Sequence, residues 1–237
     1  MNVQFQRWIA SAASVSIHGG ALCQGPGDEP KVALTFDDGP HPRWTSLLLD
    51  ELERQGLTAT FFVVGRCVAE HPSIVREARR RGHEIGTHLY WHRRTSGVHR
   101  QALLDEIARS RDELEQVLGE RISFLRFPYG ERGGLSSRVI QRNFGLRSVH
   151  WTFSSLDSRA RQPSEIVKRV SSWVRPGAVV LMHDCLADEH ESLPERYNPD
   201  RTAVLACIPA LRNLLDQAGL EAVTLSQLIP PACNAAR

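Results

Sequence analysis

Two adjacent carboxylates, Asp37 and Asp38, follow an apolar segment in the sequence KVALTFDDGP. The segment has the composition of a buried β-strand, and the Gly-Pro pair after the aspartates predicts a turn. Neighbouring side chains on an extended segment point in opposite directions, and two like charges side by side destabilise each other unless something offsets them. A metal ion commonly compensates the repulsion of such a pair, with one carboxylate as a ligand and the other free to accept a proton. A plain acidic turn is the alternative.

Two histidines, His88 and His92, stand four residues apart in the sequence GTHLYWH. On a helical turn, residues at i and i+4 point the same way, so both imidazoles could reach one cation. The alternative is that the spacing is accidental, which is the more common case for such a pair alone. Together with Asp38 the pair makes a His-His-carboxylate set of metal ligands. Three protein ligands leave coordination positions open for water and substrate, which is typical of a catalytic metal site and not of a structural one. The set suits one divalent ion, zinc first, with cobalt, nickel or iron also compatible.

Three further residues lie where they could take part in proton transfer, and each has a structural alternative. Arg126, in RFPYG, could hold Asp37 ionised and oriented, or it could pack over Tyr129. His183, in LMHD, could donate a proton to a leaving amine, or it could be a hydrogen-bonded core histidine. Asp157 could raise the pKa of such a histidine, or it could cap the helix that follows it.

Strand-like and helix-like segments alternate along the chain. After the strand that ends at Asp37, the predicted helices are 45–57, 71–83, 101–118, 136–145, 164–174 and 204–218, and the predicted strands are 59–64, 84–88, 123–128, 146–153, 178–183 and 221–225. This order predicts an α/β fold, a single-domain (β/α) barrel of about seven βα units with parallel strands. Catalytic residues of such barrels lie at the carboxyl ends of the strands, which is where Asp37, Asp38, His88, Arg126, Trp151 and His183 fall.

The composition is that of an ordinary globular domain. The chain has 237 residues, of which 41% are hydrophobic, so it is long enough to bury a core. Its formal net charge of +2 is too small to favour nucleic acid binding. The apolar runs have the length of strands, which predicts no transmembrane segment. The cysteines are odd in number and widely spaced without a C-x-x-C pair, so neither a disulfide framework nor a cysteine zinc site is indicated.

Five motifs occur along the chain in the order TFDDGP, H-x-x-x-H, R-x-P-Y-G, a Trp with a downstream Asp, and L-x-H. In this order they resemble the polysaccharide deacetylases of carbohydrate esterase family four, over about residues 31–228. The segments GHEIGTH, VHW and VRPGAVVLMHD are most similar in style to those of the chitooligosaccharide deacetylases in that family. One such motif is weak evidence, whereas five in order are specific.

The resemblance implies a distorted (β/α) barrel, a bound divalent metal and hydrolysis of an N-acetyl group, with an amino-sugar oligo- or polysaccharide as the partner. It also implies a role for each matched residue: Asp37 is the base, which Arg126 tethers, and Asp38, His88 and His92 are the metal ligands. His183 is the acid, and Asp157 is its partner. Leu181 and Trp151 line the acetyl pocket, and the backbone N–H of Tyr129 helps to stabilise the oxyanion. We expect the protein to be a monomer.

The two ends of the chain lie outside the resemblance. We expect residues 1–29 to form an N-terminal extension, either a weak signal peptide or an early strand, residues 30–229 to form the polysaccharide deacetylase catalytic domain, and residues 230–237 to form a C-terminal tail. The apolar stretch near the start is interrupted by Ser and His, which is atypical of an export signal. A cytoplasmic location is therefore favoured over the cell envelope.

Four residues depart from the family pattern. Leu89 stands where the metal-binding motif usually has Ser or Thr, and Phe127 stands where Ala or Pro is common. Ser154 and Ser158 replace the more usual Asp and Trp. None of these changes removes a ligand, the base or the acid, so they bear on substrate preference more than on activity. Three alternatives stay open: an O-deacetylase of acetylated xylan, a metal-dependent amidase with a non-sugar substrate, and an inactive carbohydrate-binding homologue.

Overall fold

The computed structural model describes residues 16–18, 20–187 and 194–229. Its strands are β1 (Ser16–His18), β2 (Ala21–Gln24), β3 (Lys31–Asp37), β4 (Thr60–Val63), β5 (Glu84–Thr87), β6 (Phe124–Leu125), β7 (Arg147–Ser148), β8 (Phe153–Ser154), β9 (Val179–His183) and β10 (Glu221–Ala222). Seven of them form one curled parallel sheet in the spatial order β7-β6-β5-β4-β3-β9-β8, and β10 pairs with the amino end of β3. Strands β1 and β2 form a separate antiparallel pair.

Helices connect the strands of this sheet. They are α1 (Trp44–Arg54), α2 (Gly65–Glu70), α3 (Pro72–Arg80), α4 (Arg100–Leu118), α5 (Ser137–Phe144), α6 (Pro163–Trp173), α7 (Thr202–Ala218) and α8 (Leu225–Leu228), with a 3₁₀ turn at Pro128–Gly130. The long helix α4 buries Leu103, Ile107 and Leu114, which recur at helical spacing along one face. It ends at Gly119, whose φ of 70° is the left-handed conformation that closes many helices.

Strand β3 is buried along nearly its whole length, which is typical of an inner strand in a parallel sheet. Its last residue, Asp37, pairs in register with Phe62 of β4 and with His183 of β9. Because parallel strands end at the same edge of a sheet, the residues that follow β3, β5, β6 and β9 come together there. The predicted distorted (β/α) barrel is confirmed.

The prediction of one continuous strand over residues 146–153 is wrong. The segment contains two short strands, β7 and β8, which lie at opposite ends of the sheet. Between them, Val149 forms a bridge with Leu22, and the His150 N–H donates to the carbonyl of Leu22. Gln24 forms a second bridge with Ala178, next to β9. Strand β2 thus bridges the two ends of the sheet, at the place where the chain passes from β7 to β8.

Two smaller elements also differ from the prediction. The segment after β4 forms the short helix α2, which was not predicted. The predicted closing strand is reduced to β10 and is followed by α8, because the Thr224 hydroxyl accepts from the Gln227 N–H and begins a helix there. Across the described ranges, every helix is too short or too polar to cross a membrane.

Candidate active site

Asp37 ends β3 with only 3% of its surface exposed. The buried guanidinium of Arg126 donates from Nη1 to Asp37 Oδ1 over 2.6 Å and to the hydroxyl of Thr35 over 2.8 Å. Its Nη2 donates to the carbonyl of His150, also over 2.8 Å. The guanidinium packs on the ring of Phe62, 4.1 Å from the ring centroid, and not over the tyrosine of the RFPYG segment. Arg126 therefore lies where it can orient Asp37.

Asp38 follows with a φ of 85°, and its carboxylate faces two histidines. Asp38 Oδ1 lies 3.1 Å from His92 Nε2 and 3.5 Å from His88 Nε2. One ligand atom from each of these buried side chains lies within 4.8 Å of the others. His88 Nδ1 donates to the carbonyl of Arg126 over 2.8 Å, so the lone pair of His88 sits on Nε2, which faces the cluster.

The protonation states of Asp38 and His88 suit a cation. Burial opposes ionisation of Asp38, but positive charge and a hydrogen bond on its His92 side, with a smaller contribution from His183, outweigh burial and hold the pKa of Asp38 well below its usual range. Burial lowers the pKa of His88 to about 4, so this imidazole is neutral near neutral pH. Ionised carboxylates and neutral imidazoles are the forms that bind metals. The described residues therefore contain a three-ligand set that fits a divalent ion.

The H-x-x-x-H stretch is an irregular loop and not a helical turn, so the predicted reason for the convergence of the two imidazoles is wrong. Leu89 and His92 both have positive φ, 64° and 55°. The first N–H groups of α2, those of Gly65 and Arg66, donate to the carbonyls of Leu89 and Tyr90 over 2.8 and 3.1 Å. Tertiary contacts with α2 therefore shape this metal loop, defined here as residues 88–92.

A second contact holds the metal loop from α4. The Trp91 N–H donates to Glu106 Oε1 over 2.9 Å, and Glu106 was not predicted as part of the site. The side chain of Leu89 is fully buried in the core, where a Ser or Thr hydroxyl would be expected from the family pattern. The loop is thus supported by backbone bonds and a carboxylate acceptor, together with apolar burial of Leu89.

His183 ends β9 beside Asp37, with 18% of its side chain exposed. Its Nδ1 lies 3.2 and 3.3 Å from the two oxygens of Asp157, and its backbone N–H donates to Asp157 Oδ2 over 3.0 Å. Burial lowers the pKa of His183, but the charge and hydrogen bond of Asp157 outweigh it and raise that pKa to about 9. Asp157 does not cap the next helix, whose N-cap is Gln162.

Two more buried polar residues near the site were not predicted. Arg201 is 1% exposed, and its Nη1 donates to Asp157 Oδ2 over 3.4 Å. Asp184 is 1% exposed and accepts from the Gly39 N–H and the Thr45 hydroxyl, and burial raises its pKa to about 7. A Cβ on Gly39 would fall 2.1 Å from Asp184 Oδ2, so only glycine fits there. Asp184 could have been suspected from its place after His183, whereas Arg201 belongs to no motif.

The site opens into one cleft of about 590 Å³. The predicted residues that line it are Asp37, Asp38, His88, His92, Tyr129, Trp151, Leu181 and His183. Arg126 and Asp157 are buried behind Asp37 and His183. The cleft is also lined by three of the residues that depart from the family pattern, which are Phe127, Ser154 and Ser158. The structure thus brings all of the predicted site residues together.

A sequence model of the family described as polysaccharide deacetylase matches residues 24–149, just over half of the chain. The matched region contains Asp37, Asp38, residues 88–92 and Arg126, and it includes strands β3 to β7 of the barrel. The chain belongs to the polysaccharide deacetylase family and is a hydrolase of that class.

Similar curated proteins and solved structures support this assignment. The chitooligosaccharide deacetylase of Rhizobium leguminosarum bv. trifolii is 34% identical over 192 residues, which cover 78% of this chain and 87% of that protein. The peptidoglycan-N-acetylglucosamine deacetylase of Bacillus cereus is 33% identical over 162 residues, which cover 67% and 58%. The structure of a family 4 carbohydrate esterase from Streptomyces lividans, in complex with acetate, has 31% identity and a TM-score of 0.70, covering 82% of this chain and 92% of that one.

Proposed function

We propose that this protein is a metal-dependent hydrolase that removes N-acetyl groups from oligo- or polysaccharides containing N-acetylglucosamine, of the chitooligosaccharide or peptidoglycan type. One observation carries the proposal: an arginine-held carboxylate, a three-ligand cluster and an aspartate-held histidine all meet at one cleft. The names of the similar proteins, a chitooligosaccharide deacetylase and a peptidoglycan-N-acetylglucosamine deacetylase, support the substrate class.

Asp38, His88 and His92 would hold the metal. Zinc is the expected occupant, because zinc accepts two imidazoles and a carboxylate with a position left open; cobalt, nickel or iron also fit. When bound, such an ion polarises a carbonyl oxygen and makes water nucleophilic near neutral pH. The carbonyl of Arg126 sets the tautomer of His88 that this requires.

Asp37 is the proposed general base. Its Oδ2 lies 3.8 Å from His88 Nε2, so the carboxylate borders the ligand cluster while its other oxygen is bound by Arg126. As water attacks the acetamide carbonyl, Asp37 accepts the proton that the water loses. Because Arg126 donates to one oxygen of the carboxylate, it fixes this base in position.

His183 is the proposed general acid. An amine leaves poorly unless it is protonated as the C–N bond breaks, so amide cleavage requires a proton donor as well as a base. The ion pair with Asp157 keeps His183 charged. Since Nδ1 faces Asp157, Nε2 is the atom that delivers the proton to the sugar amine.

The remaining predicted residues would bind the acetyl group. Negative charge develops on the acetamide oxygen during attack, and a backbone N–H aimed at it lowers the barrier. We assign this donor to Tyr129, whose φ is 57° and whose ring centroid lies 5.0 Å from that of His92. Leu181 and Trp151 line the cleft and would enclose the acetyl methyl group.

The test is acetate release by the purified protein after chelation and after reloading with zinc or cobalt. The substrates are chitooligosaccharides, peptidoglycan and acetylated xylan. We expect acetate from the N-acetylated substrates only after reloading, and little from Asp37→Asn, which keeps the shape of the side chain. Acetate from xylan alone would identify an O-deacetylase. No acetate from any substrate would contradict the proposal and leave the amidase or the carbohydrate-binding homologue.

A further inference from the structure

We propose that Asp184 is a positioning residue for the metal site, and that its carboxylate fixes the backbone conformation of the ligand Asp38. The inference rests on the proposed function, because it concerns the divalent ion that the deacetylase would bind. Asp184 lies outside the five sequence motifs and outside the cluster of three ligands, so it would act on the ion through Asp38.

The carboxylate of Asp184 joins β9 to the turn that follows β3. Asp184 is the first residue after β9, and only 1% of its surface is exposed. Its Oδ1 accepts from the Gly39 N–H over 3.0 Å, and its Oδ2 accepts from the hydroxyl of Thr45 in the first turn of α1. That hydroxyl accepts in turn from the His41 N–H over 2.7 Å. One carboxylate therefore holds the turn at two points, directly and through α1.

This turn contains Asp38 in a conformation that needs such support. The φ of Asp38 is 85°, a positive value that is uncommon for residues other than glycine. The backbone on both sides of it is bonded to neighbouring segments. The Asp184 N–H donates to the carbonyl of Asp37 over 3.3 Å, and the carbonyl of Gly39 accepts from the Val64 N–H over 2.7 Å. Conformations of this kind persist only where the surrounding contacts fix them.

The segment that begins at Asp184 also binds the carboxylate of Asp38. The Ala187 N–H donates to Asp38 Oδ2 over 3.2 Å, while Oδ1 faces the Nε2 atoms of the two histidines. The carbonyl of Ala187 accepts from the guanidinium of Arg66 on α2, the helix whose amino end shapes the metal loop. Residues 184–187 therefore connect the carboxylate ligand to the helix that positions the two imidazole ligands.

Two replacements of Asp184 separate positioning from charge. Asp184→Ala removes both acceptor oxygens, so binding of the ion must order Asp38 again. Asp184→Asn keeps one oxygen for the Gly39 N–H, and its amide can donate to the hydroxyl oxygen of Thr45, which has room for a second hydrogen bond. A positioning role therefore predicts that Asn restores most of the affinity for the metal, whereas a role of charge alone predicts equal losses in the two variants.

The experiment measures the zinc Kd of the metal-free protein by competition with a chromophoric chelator, together with Tm before zinc is added. We expect Asp184→Ala to raise the Kd by about 10- to 100-fold, the usual effect of losing a partner that orients a ligand. Asp184→Asn should stay close to the wild-type Kd. Thr45→Val removes the hydroxyl that joins Asp184 to the turn without changing any charge, and it should raise the Kd by about fivefold, the contribution of one hydrogen bond.

Thr58→Val is the matched control, because the Thr58 hydroxyl donates to the carbonyl of Ala222 over 3.1 Å at the opposite edge of the sheet. This variant should keep the wild-type Kd. An unchanged Kd in folded Asp184→Ala, even with a lower Tm, would overturn the inference, as would equal losses in the Ala and Asn variants. Either result would leave the proposed function intact. If Asp184→Ala does not fold, an unchanged Kd in Thr45→Val would overturn the inference. A wild-type protein that binds no zinc would instead overturn the proposed function, and the inference with it.

Discussion

Replacing Asp157 with Asn should move the alkaline limit of activity to lower pH without removing the metal. The substitution keeps the size of the side chain and removes the negative charge. Its single oxygen can accept from one of two donors, either the Ser155 hydroxyl, which Oδ1 of Asp157 binds, or the His183 N–H, which Oδ2 binds. Activity requires protonated His183, so the rate falls as the pH rises through the pKa of this residue. A lower pKa therefore moves that fall to lower pH.

The size of this change can be worked out from the surroundings of His183. Burial lowers its pKa from the reference value of 6.5, and Asp157, followed by Asp38 and Asp37, raises it to about 9. Because Asp157 makes the two largest raising contributions, its neutralisation should lower the alkaline limit by about 2 pH units, equivalent to about 3 kcal/mol. A bound divalent cation lowers the pKa in both proteins alike, so the predicted quantity is the difference between them.

The assay is kcat/KM for acetate release from an N-acetylchitooligosaccharide between about pH 5 and about pH 10. Metal content is measured in the same samples of wild-type protein and Asp157→Asn. An activated ester such as para-nitrophenyl acetate is the internal control, because its leaving group departs without a proton and its profile should lack the alkaline limit. Coincident alkaline limits for the two proteins on the amide, or equal changes on amide and ester, would refute the assignment of His183 as the acid.

Three other substitutions test separate parts of the structure. Asp37→Asn should retain the metal and lose on the order of 10²- to 10⁴-fold in kcat; loss of the metal here, with retention in Asp38→Asn, would reverse the two roles. Glu106→Ala should weaken metal retention in a chelator competition by removing the acceptor for the metal loop, whereas Glu113→Ala, farther along α4, should not; equal retention in the two variants would show that this bond is dispensable. Leu211→Ala, fully buried in α7, should lower the free energy of unfolding in a denaturant titration by about 2–5 kcal/mol, and a cost well below this range would mean that the core closes around the cavity.

The predicted site residues lie in short motifs at the ends of strands, which is why the sequence was informative about them. The carboxyl ends of parallel strands lie at one edge of a sheet, so such residues come together there whatever the lengths and bounds of the connecting helices. The backbone of the metal loop could not be predicted in this way. Positive φ at Leu89 is unfavourable for a branched side chain, and the amino end of α2, a helix that was not predicted, holds this conformation by donating to the carbonyls of Leu89 and Tyr90.

Partners that lie far apart in the chain were also beyond prediction. Arg201 reaches Asp157 only because the segment before α7 packs on the loop after β8, and no local pattern signals that contact. The residues LRSVHWTF are uniformly strand-like, so their periodicity could not show that the chain crosses between the two ends of the sheet. The bridge between Leu22 and Val149, at the joint with β2, is a tertiary feature.

The most direct test of the central claim is the metal content of the wild-type protein and of His88→Ala, measured by elemental mass spectrometry alongside acetate release. We predict about one equivalent of divalent metal, with turnover, in the wild-type protein, and neither in the variant. Circular dichroism would verify that His88→Ala is folded. Full metal occupancy in the folded variant would contradict the assignment of Asp38, His88 and His92 as the ligands.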